Sequence, residues 1–261
     1  MDALAQLREA IDLDGDALPL DIAADLIAQY LDDDITAGST IRRIDALAVE
    51  TIATDAEGLV RELVTSFGFR GNQDDYYDPA NSLLPHVIDR RLGIPITLAV
   101  VAIEVGRRND LTLGGVGMPG HFLLRLDHDG ELFADPFSGP EPLSVDACHH
   151  LFRSIVGGRL AWDTSFLAPV PNVEIVARML NNLKAIYLQR SAIDPLRRVL
   201  DLRACLPGMA LSDRNALAVA LAARSRYSEA AAELEQMADG SAADDRVALL
   251  SRAQQLRARL N

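Results

Sequence analysis

The chain has 261 residues, 49% apolar and 24% charged, which excludes a disordered or low-complexity protein and suffices for one large domain or two small ones. Aromatic residues make up only 5%, so an aliphatic, largely helical core is expected. The formal net charge of −13 disfavours nucleic-acid backbones and anionic lipid surfaces as partners.

The opening run MDALAQLREAIDLDGD has no basic segment followed by an apolar one, so it does not read as a signal peptide. Residues 1 to about 66 read as helices. Ile22, Leu26, Ile27, Tyr30 and Leu31 have helical spacing, with Asp21 placed to cap the segment. A second segment, residues 40–64, repeats the pattern through Ile41, Ile44, Leu47, Ala48, Ile52, Leu59 and Leu63. The run FGFRGNQDDYYDPANS then reads as a long loop of the kind that often carries function.

NSLLPHVIDRRLG reads as a short helix closed by Gly93. Pro95 suits the first turn of the next helix, roughly residues 96–108, which is apolar nearly all round and belongs at the centre of a domain. Its apolar stretch, residues 94–103, ends at Glu104 and is too short to span a bilayer. A buried Glu104 needs a partner, for which Arg90, Arg91 and Arg107 are the candidates.

Gly114, Gly115 and Gly117 lead through MPG into a strand, residues 121–126, and a return strand, residues 131–135, ended by Pro136. If His128-Asp129-Gly130 form the loop, Asp127 faces Glu131 and Asp135 lies one diagonal from His121 on the same face. A two-residue loop would put His121 and Asp135 on opposite faces.

Beyond residue 165 the chain is helical again. Leu183, Tyr187 and Leu200 are matched 34 positions later by Leu217, Leu221 and Leu234, the period of a tetratricopeptide repeat. SRYSEA (residues 225–230) resembles the loop and second-helix start of such a repeat, whereas Lys184 and Leu196 depart from the pattern. Two helix pairs cannot form a free-standing solenoid. The expected division is 1–165 and 166–261.

The ordered motifs NSLL, RRLGIPITL, GMPGHF and ADPFSG, followed by ARMLNNLKAIYL and the repeat-like tail, resemble the bacterial SirB-type family over about residues 18 to 255. The resemblance implies an α+β, mainly helical fold. A papain/transglutaminase-like core, a central helix on a small antiparallel sheet, would be flanked by N-terminal helices and C-terminal tetratricopeptide-like helices. In such cores a cysteine at a helix start is the nucleophile, its thiol acidified by the helix dipole and an imidazolium. A histidine on the next strand is the base, and an aspartate orients it. Carried over, His121 matches the histidine and Asp135 the aspartate. Thr97 falls at the cysteine position, with Ile96 the alternative one residue earlier. Asn81, Pro95, Gly120 and Phe122 are the candidate cleft residues beside these motifs.

A threonine hydroxyl has no standing anionic form, so His121 would have to remove its proton during attack. The leading expectation is therefore a non-catalytic transglutaminase-like protein, possessing a relic cleft, that binds a protein or peptide partner and acts in regulation. The alternative is an acyl hydrolase or transferase using Thr97, His121 and Asp135. No cofactor is expected. No metal is expected either, because adjacent His149 and His150 point about 100° apart on a helix. Two distant cysteines, Cys148 and Cys205, fit a reducing cytoplasm and no disulfide framework.

Overall fold

The computed structural model describes residues 2–126, 131–206, 210–239 and 243–259. The chain divides into two compact units, Met1–Met179 and Leu180–Asn261. The first contains α1 (Ala3–Asp14), α2 (Leu20–Leu31), α3 (Ser39–Glu50), α4 (Ala56–Thr65), β1 (Arg70–Gly71), α5 (Leu84–Arg90), β2 (Leu92–Gly93) and α6 (Pro95–Arg108). It continues through β3 (Gly114–Val116), β4 (Leu123–Arg125), β5 (Leu132–Ala134), β6 (Pro142–Ser144) and α7 (Val145–Val156). The helix α8 (Asn172–Gln189) holds the division, and α9 (Ile193–Arg203), α10 (Ala210–Ala223), α11 (Tyr227–Asp239) and α12 (Ala243–Ala258) follow. The fold is thus mainly helical, with small sheets near the core and a C-terminal helix bundle.

α6 is the centre of the first unit, packed by α2, α3, α4 and α5 and by strands β3 and β4. Pro95 occupies its first turn, where a missing N–H costs nothing. Leu98, Ala99, Val100, Val101, Ala102 and Val105 are all buried, and each buried Val or Leu contributes about 1.5–3 kcal/mol. Glu104, on the same helix, is also buried. Its carboxylate accepts from Arg107 Nε at 2.9 Å, Arg108 Nη1 at 3.0 Å and the Leu20 amide at 3.1 Å. Arg107 is thus a partner as expected. Arg90 instead pairs with Asp78, and Arg91 stacks over Phe69.

Several local expectations are corrected. Asp21 lies inside α2 and does not cap it; its carboxylate binds Arg107 and Arg108. The segment 40–64 is two helices, because Asp55 caps α4 by accepting from the Gly58 amide and Glu62 accepts from the amides of Ile52 and Ala53. Ile52 falls in the break and is exposed, and Ile22 is exposed as well. α5 ends on Arg91 in the left-handed conformation, not on Gly93, which pairs with Gly71 in a short parallel ladder. The long loop therefore contains β1, and its end forms a 3-10 turn at Pro79–Ser82.

Four short antiparallel strands form one sheet in the order β3-β4-β5-β6, against two expected. Leu124 pairs with Ala134 and Arg125 with Phe133. This is the register that a three-residue loop produces; the loop itself, His128-Asp129-Gly130, lies outside the described residues, as does Asp127. Val116, Met118, Leu123, Phe133, Cys148 and Phe152 form the core between this sheet and α7.

In the second unit, Leu196, Leu200, Leu217 and Leu221 form one buried cluster with Ala230, and Leu234 joins a second with Ala218, Ala231 and Ala253. The internal period reappears in the backbone. Ser191 and Ser225, 34 residues apart, both adopt positive φ. The Ala192 amide bonds to the Tyr187 carbonyl, as the Arg226 amide does to that of Leu221, again 34 residues on.

Candidate functional site

His121 follows Gly120, whose φ of +80° lets the chain turn sharply out of Met118-Pro119. A side chain at Gly120 would meet Ile155 at 2.7 Å. Arg178 on α8 holds the same turn: its guanidinium donates to the carbonyls of Gly117, Met118 and His121 at 2.8, 3.2 and 2.9 Å. Asp135, at the end of β5, is buried. His121 Nε2 and Asp135 Oδ2 are 2.8 Å apart. Asp135 also accepts from the Phe137 amide at 3.1 Å and from Ser138 Oγ at 2.6 Å. A carboxylate only accepts, so the imidazole carries a proton at Nε2, and in the neutral ring Nδ1 is then the open acceptor. Among the described residues Nδ1 makes no hydrogen bond.

Thr97 sits in the first turn of α6 and is fully buried. Its hydroxyl lies 2.8 Å from the Asn81 carbonyl and 3.1 Å from that of Ile94, and it accepts from the Ile94 amide at 3.1 Å. None of these contacts is to His121. The hydroxyl works as a clamp between the helix start and the preceding loop. Asn81 completes that clamp: its side-chain amide donates to the carbonyls of Asp75 and Tyr76, and its oxygen accepts from Asn72 and Arg90. Every polar atom of the Asn81 side chain is engaged in holding the loop, and Asp78 caps the 3-10 turn that contains it.

The structure therefore brings His121 to Asp135 and Thr97 to Asn81, as two separate hydrogen-bonded sets. Phe122 is buried with its ring near Gly115 and under Arg178, and Pro95 is buried in the helix start. Two cavities flank the turn after Asp135. One, about 380 Å³, is lined by Arg70–Asp74 and Pro136–Gly139. The other, about 280 Å³, is lined by Asp135, Ser138–Glu141, Leu143 and Leu151. Neither is lined by Thr97, Asn81, Pro95, Gly120 or Phe122.

Sequence reasoning missed Tyr76, Ser138 and Arg178. The Phe137 ring lies edge-on to both His121 (6.3 Å between centroids) and Tyr76 (5.9 Å), and closes over Gly71. Burial, with Tyr77 alongside, pushes the Tyr76 hydroxyl above its ordinary range, and Asp135 adds to this while Arg178 opposes it. The string ADPFSG carried part of the signal, since a carboxylate followed two and three residues later by a free amide and a serine forms such a turn. Arg178 had none, lying 57 residues from the carbonyl of His121 that it binds.

Neither cysteine replaces the missing nucleophile. Cys148, on the buried face of α7, lies in the core, and burial together with the nearby Asp135 charge pushes its thiol up to about 11. Cys205 is buried in the second unit. His149 stacks on Trp162 at 4.9 Å, and no cluster of metal-ligating side chains occurs among the described residues. Among those residues no helix is long and apolar enough to cross a membrane.

Comparison with known proteins agrees with this reading of the motifs. A UPF0162 protein of Xylella fastidiosa (strain 9a5c) is 43% identical over 145 residues, 54% of this chain and 52% of that protein. A UPF0162 protein of Pseudomonas aeruginosa is 36% identical over 146 residues, 56% and 52% of the two chains. Human F-box only protein 21 is 33% identical over 148 residues, 51% of this chain and 22% of that protein. The chain thus spans about half the length of the bacterial relatives it matches, and no solved structure matches it. The family described as the transglutaminase-like superfamily matches residues 21–181, more than half of the sequence, and the chain belongs to it, in the SirB-type group with the UPF0162 proteins.

Proposed function

We propose that this chain is a non-catalytic transglutaminase-like protein that binds a protein or peptide partner through its cleft and its tetratricopeptide-like helices, in a regulatory role in the cytoplasm. The observation that carries the reading is the Thr97 hydroxyl, buried and hydrogen-bonded to the Asn81 and Ile94 carbonyls rather than to His121. A base can activate a hydroxyl only by receiving its proton, and this proton is committed to the main chain. His121 and Asp135 then act as a polar pair that fixes the turn and presents one imidazole acceptor, Nδ1, to a ligand. F-box only protein 21 carries the matching domain within a much longer chain, which accords with use as a binding module.

The test compares wild type with Thr97→Val, Thr97→Cys and His121→Ala on a panel of activated esters and γ-glutamyl amides. Expected is no turnover by any of them, and no labelling of Thr97→Cys by a thiol-directed acyl probe, because the position is closed to solvent. Saturable wild-type turnover that both Thr97→Val and His121→Ala abolish would establish the acyl hydrolase or transferase instead.

A further inference from the structure

The two units differ in charge. Residues 1–179 hold 29 acidic and 13 basic side chains, a net of −16, whereas residues 180–261 hold 9 acidic and 12 basic, a net of +3. Arginines in the second unit commonly meet carboxylates, as Arg203 meets Asp213, Arg226 meets Glu229 and Arg257 meets Glu235. Arg252 and Arg259 on and just after α12 differ. Arg252 donates only to Asn215 Oδ1, at 3.3 Å, and the Arg259 guanidinium lies 5.7 Å over the Tyr227 ring. Among the described residues neither meets a carboxylate.

Both line one groove of about 200 Å³, whose other walls are Ala218, Val219, Ala222, Leu234, Gln255 and Leu256. No acidic side chain lines it. Val219 is 53% exposed there, an apolar side chain left open to solvent in a helix bundle. Seven residues separate the two arginines, which puts them near one helix face and roughly 10 Å apart along it.

We propose that this groove takes an acidic, apolar segment of a partner protein. An apolar side chain enters the floor made by Ala218, Ala222, Leu234 and Leu256, and two carboxylates meet Arg252 and Arg259. In a polyproline-II segment, with three residues per turn and a rise of 3.1 Å, carboxylates three residues apart share one face, span about 9 Å and match that separation. Charge complementarity selects this occupant: a basic segment finds two uncompensated guanidinium groups and no counter-charge. The inference rests on the reading that the chain binds a protein partner, and gives the chemistry of one recognised segment.

The experiment is fluorescence polarisation with the full chain and labelled eight-residue peptides carrying one leucine between two aspartates three positions apart, with lysine and serine counterparts. Saturable binding of the aspartate peptide alone is expected. The double variant Arg252→Glu, Arg259→Glu should weaken it at least about tenfold, and Arg252→Gln and Arg259→Gln singly should each weaken it less. Added salt should weaken it further. Circular dichroism checks that the variants keep their helices. Equal binding of the lysine or serine peptide, unchanged binding by the double variant, or no saturable binding overturns the proposal. Self-association of the chain that the double variant abolishes overturns it in favour of a second copy. A lysine peptide held in the groove sinks the acidic assignment while partner binding stands, whereas Thr97-dependent turnover sinks the partner-binding reading itself.

Discussion

At Thr97 and Asn81 the same residue types admit two meanings, and the hydrogen-bond partner decides between them. A threonine at the start of a central helix fits a nucleophile position and equally fits a clamp; the Asn81 carbonyl, 2.8 Å away, makes it a clamp. Asn81 is the more heavily used of the two, since its side chain serves two carbonyls and two donors while fully buried. Asn81→Ala should therefore cost about 2–4 kcal/mol of unfolding free energy, because the buried Asn72 side chain, the Asp75 and Tyr76 carbonyls and the half-buried Arg90 lose a partner at once. Urea unfolding measures the loss, and limited proteolysis should show earlier cleavage at residues 73–78. A change under 0.5 kcal/mol, the size of an ordinary surface substitution, would mean that the loop holds without Asn81. Of this arrangement the sequence disclosed the motif positions and left the direction of each side chain open, since Thr97 is 16 residues from the carbonyl it binds.

The elements around the pair were legible where pattern and local chemistry agree. The apolar run of α6 and Pro95 at its start each carry one meaning, and the register of β4 and β5 followed once a loop length was assumed. Boundaries set by distant partners were not legible. The break between α3 and α4 depends on Glu62 reaching back to Ile52 and Ala53, and Gly93 reads as a helix stop until its ladder to Gly71 is known. The β1–β2 ladder also explains why position 71 is glycine. A Cβ there would stand 2.4 Å from Phe137, in a backbone that any residue can adopt. Gly71→Ala must then displace the Phe137 ring from its place between Tyr76 and His121. We expect a cost of about 1–3 kcal/mol, typical of overpacking. We also expect a change in the aromatic and imidazole NMR signals of Phe137, Tyr76 and His121, with the helical signals of the second unit unmoved. Unchanged His121 signals would show that the aromatic contact does not shape the pair.

Across the whole molecule, the buried thiol of Cys148 links the core to pH. Burial first, and the nearby Asp135 charge second, raise Cys148 from 9.0 to about 11. Below pH 9 the folded and unfolded chains both hold the thiol protonated, and the group contributes no pH dependence. Between about 9 and 11 the unfolded chain releases its proton while the folded chain retains it, so unfolding is favoured progressively and stability falls as pH rises. Two pH units correspond to a loss on the order of 2–3 kcal/mol from this one group. The tyrosines, the lysine and Cys205, which titrate in the same range, are common to wild type and Cys148→Ser, so they cancel in the difference between the two. Serine costs stability at every pH through its buried hydroxyl, which shifts the curve without tilting it. Urea unfolding of both proteins at intervals from pH 8 to 11 should give wild-type stability that falls more steeply than that of Cys148→Ser, with the gap between them closing above pH 9. Parallel curves would mean that the thiolate forms as easily in the folded core as in the unfolded chain, and Cys148 would then return as a candidate nucleophile beside Asp135.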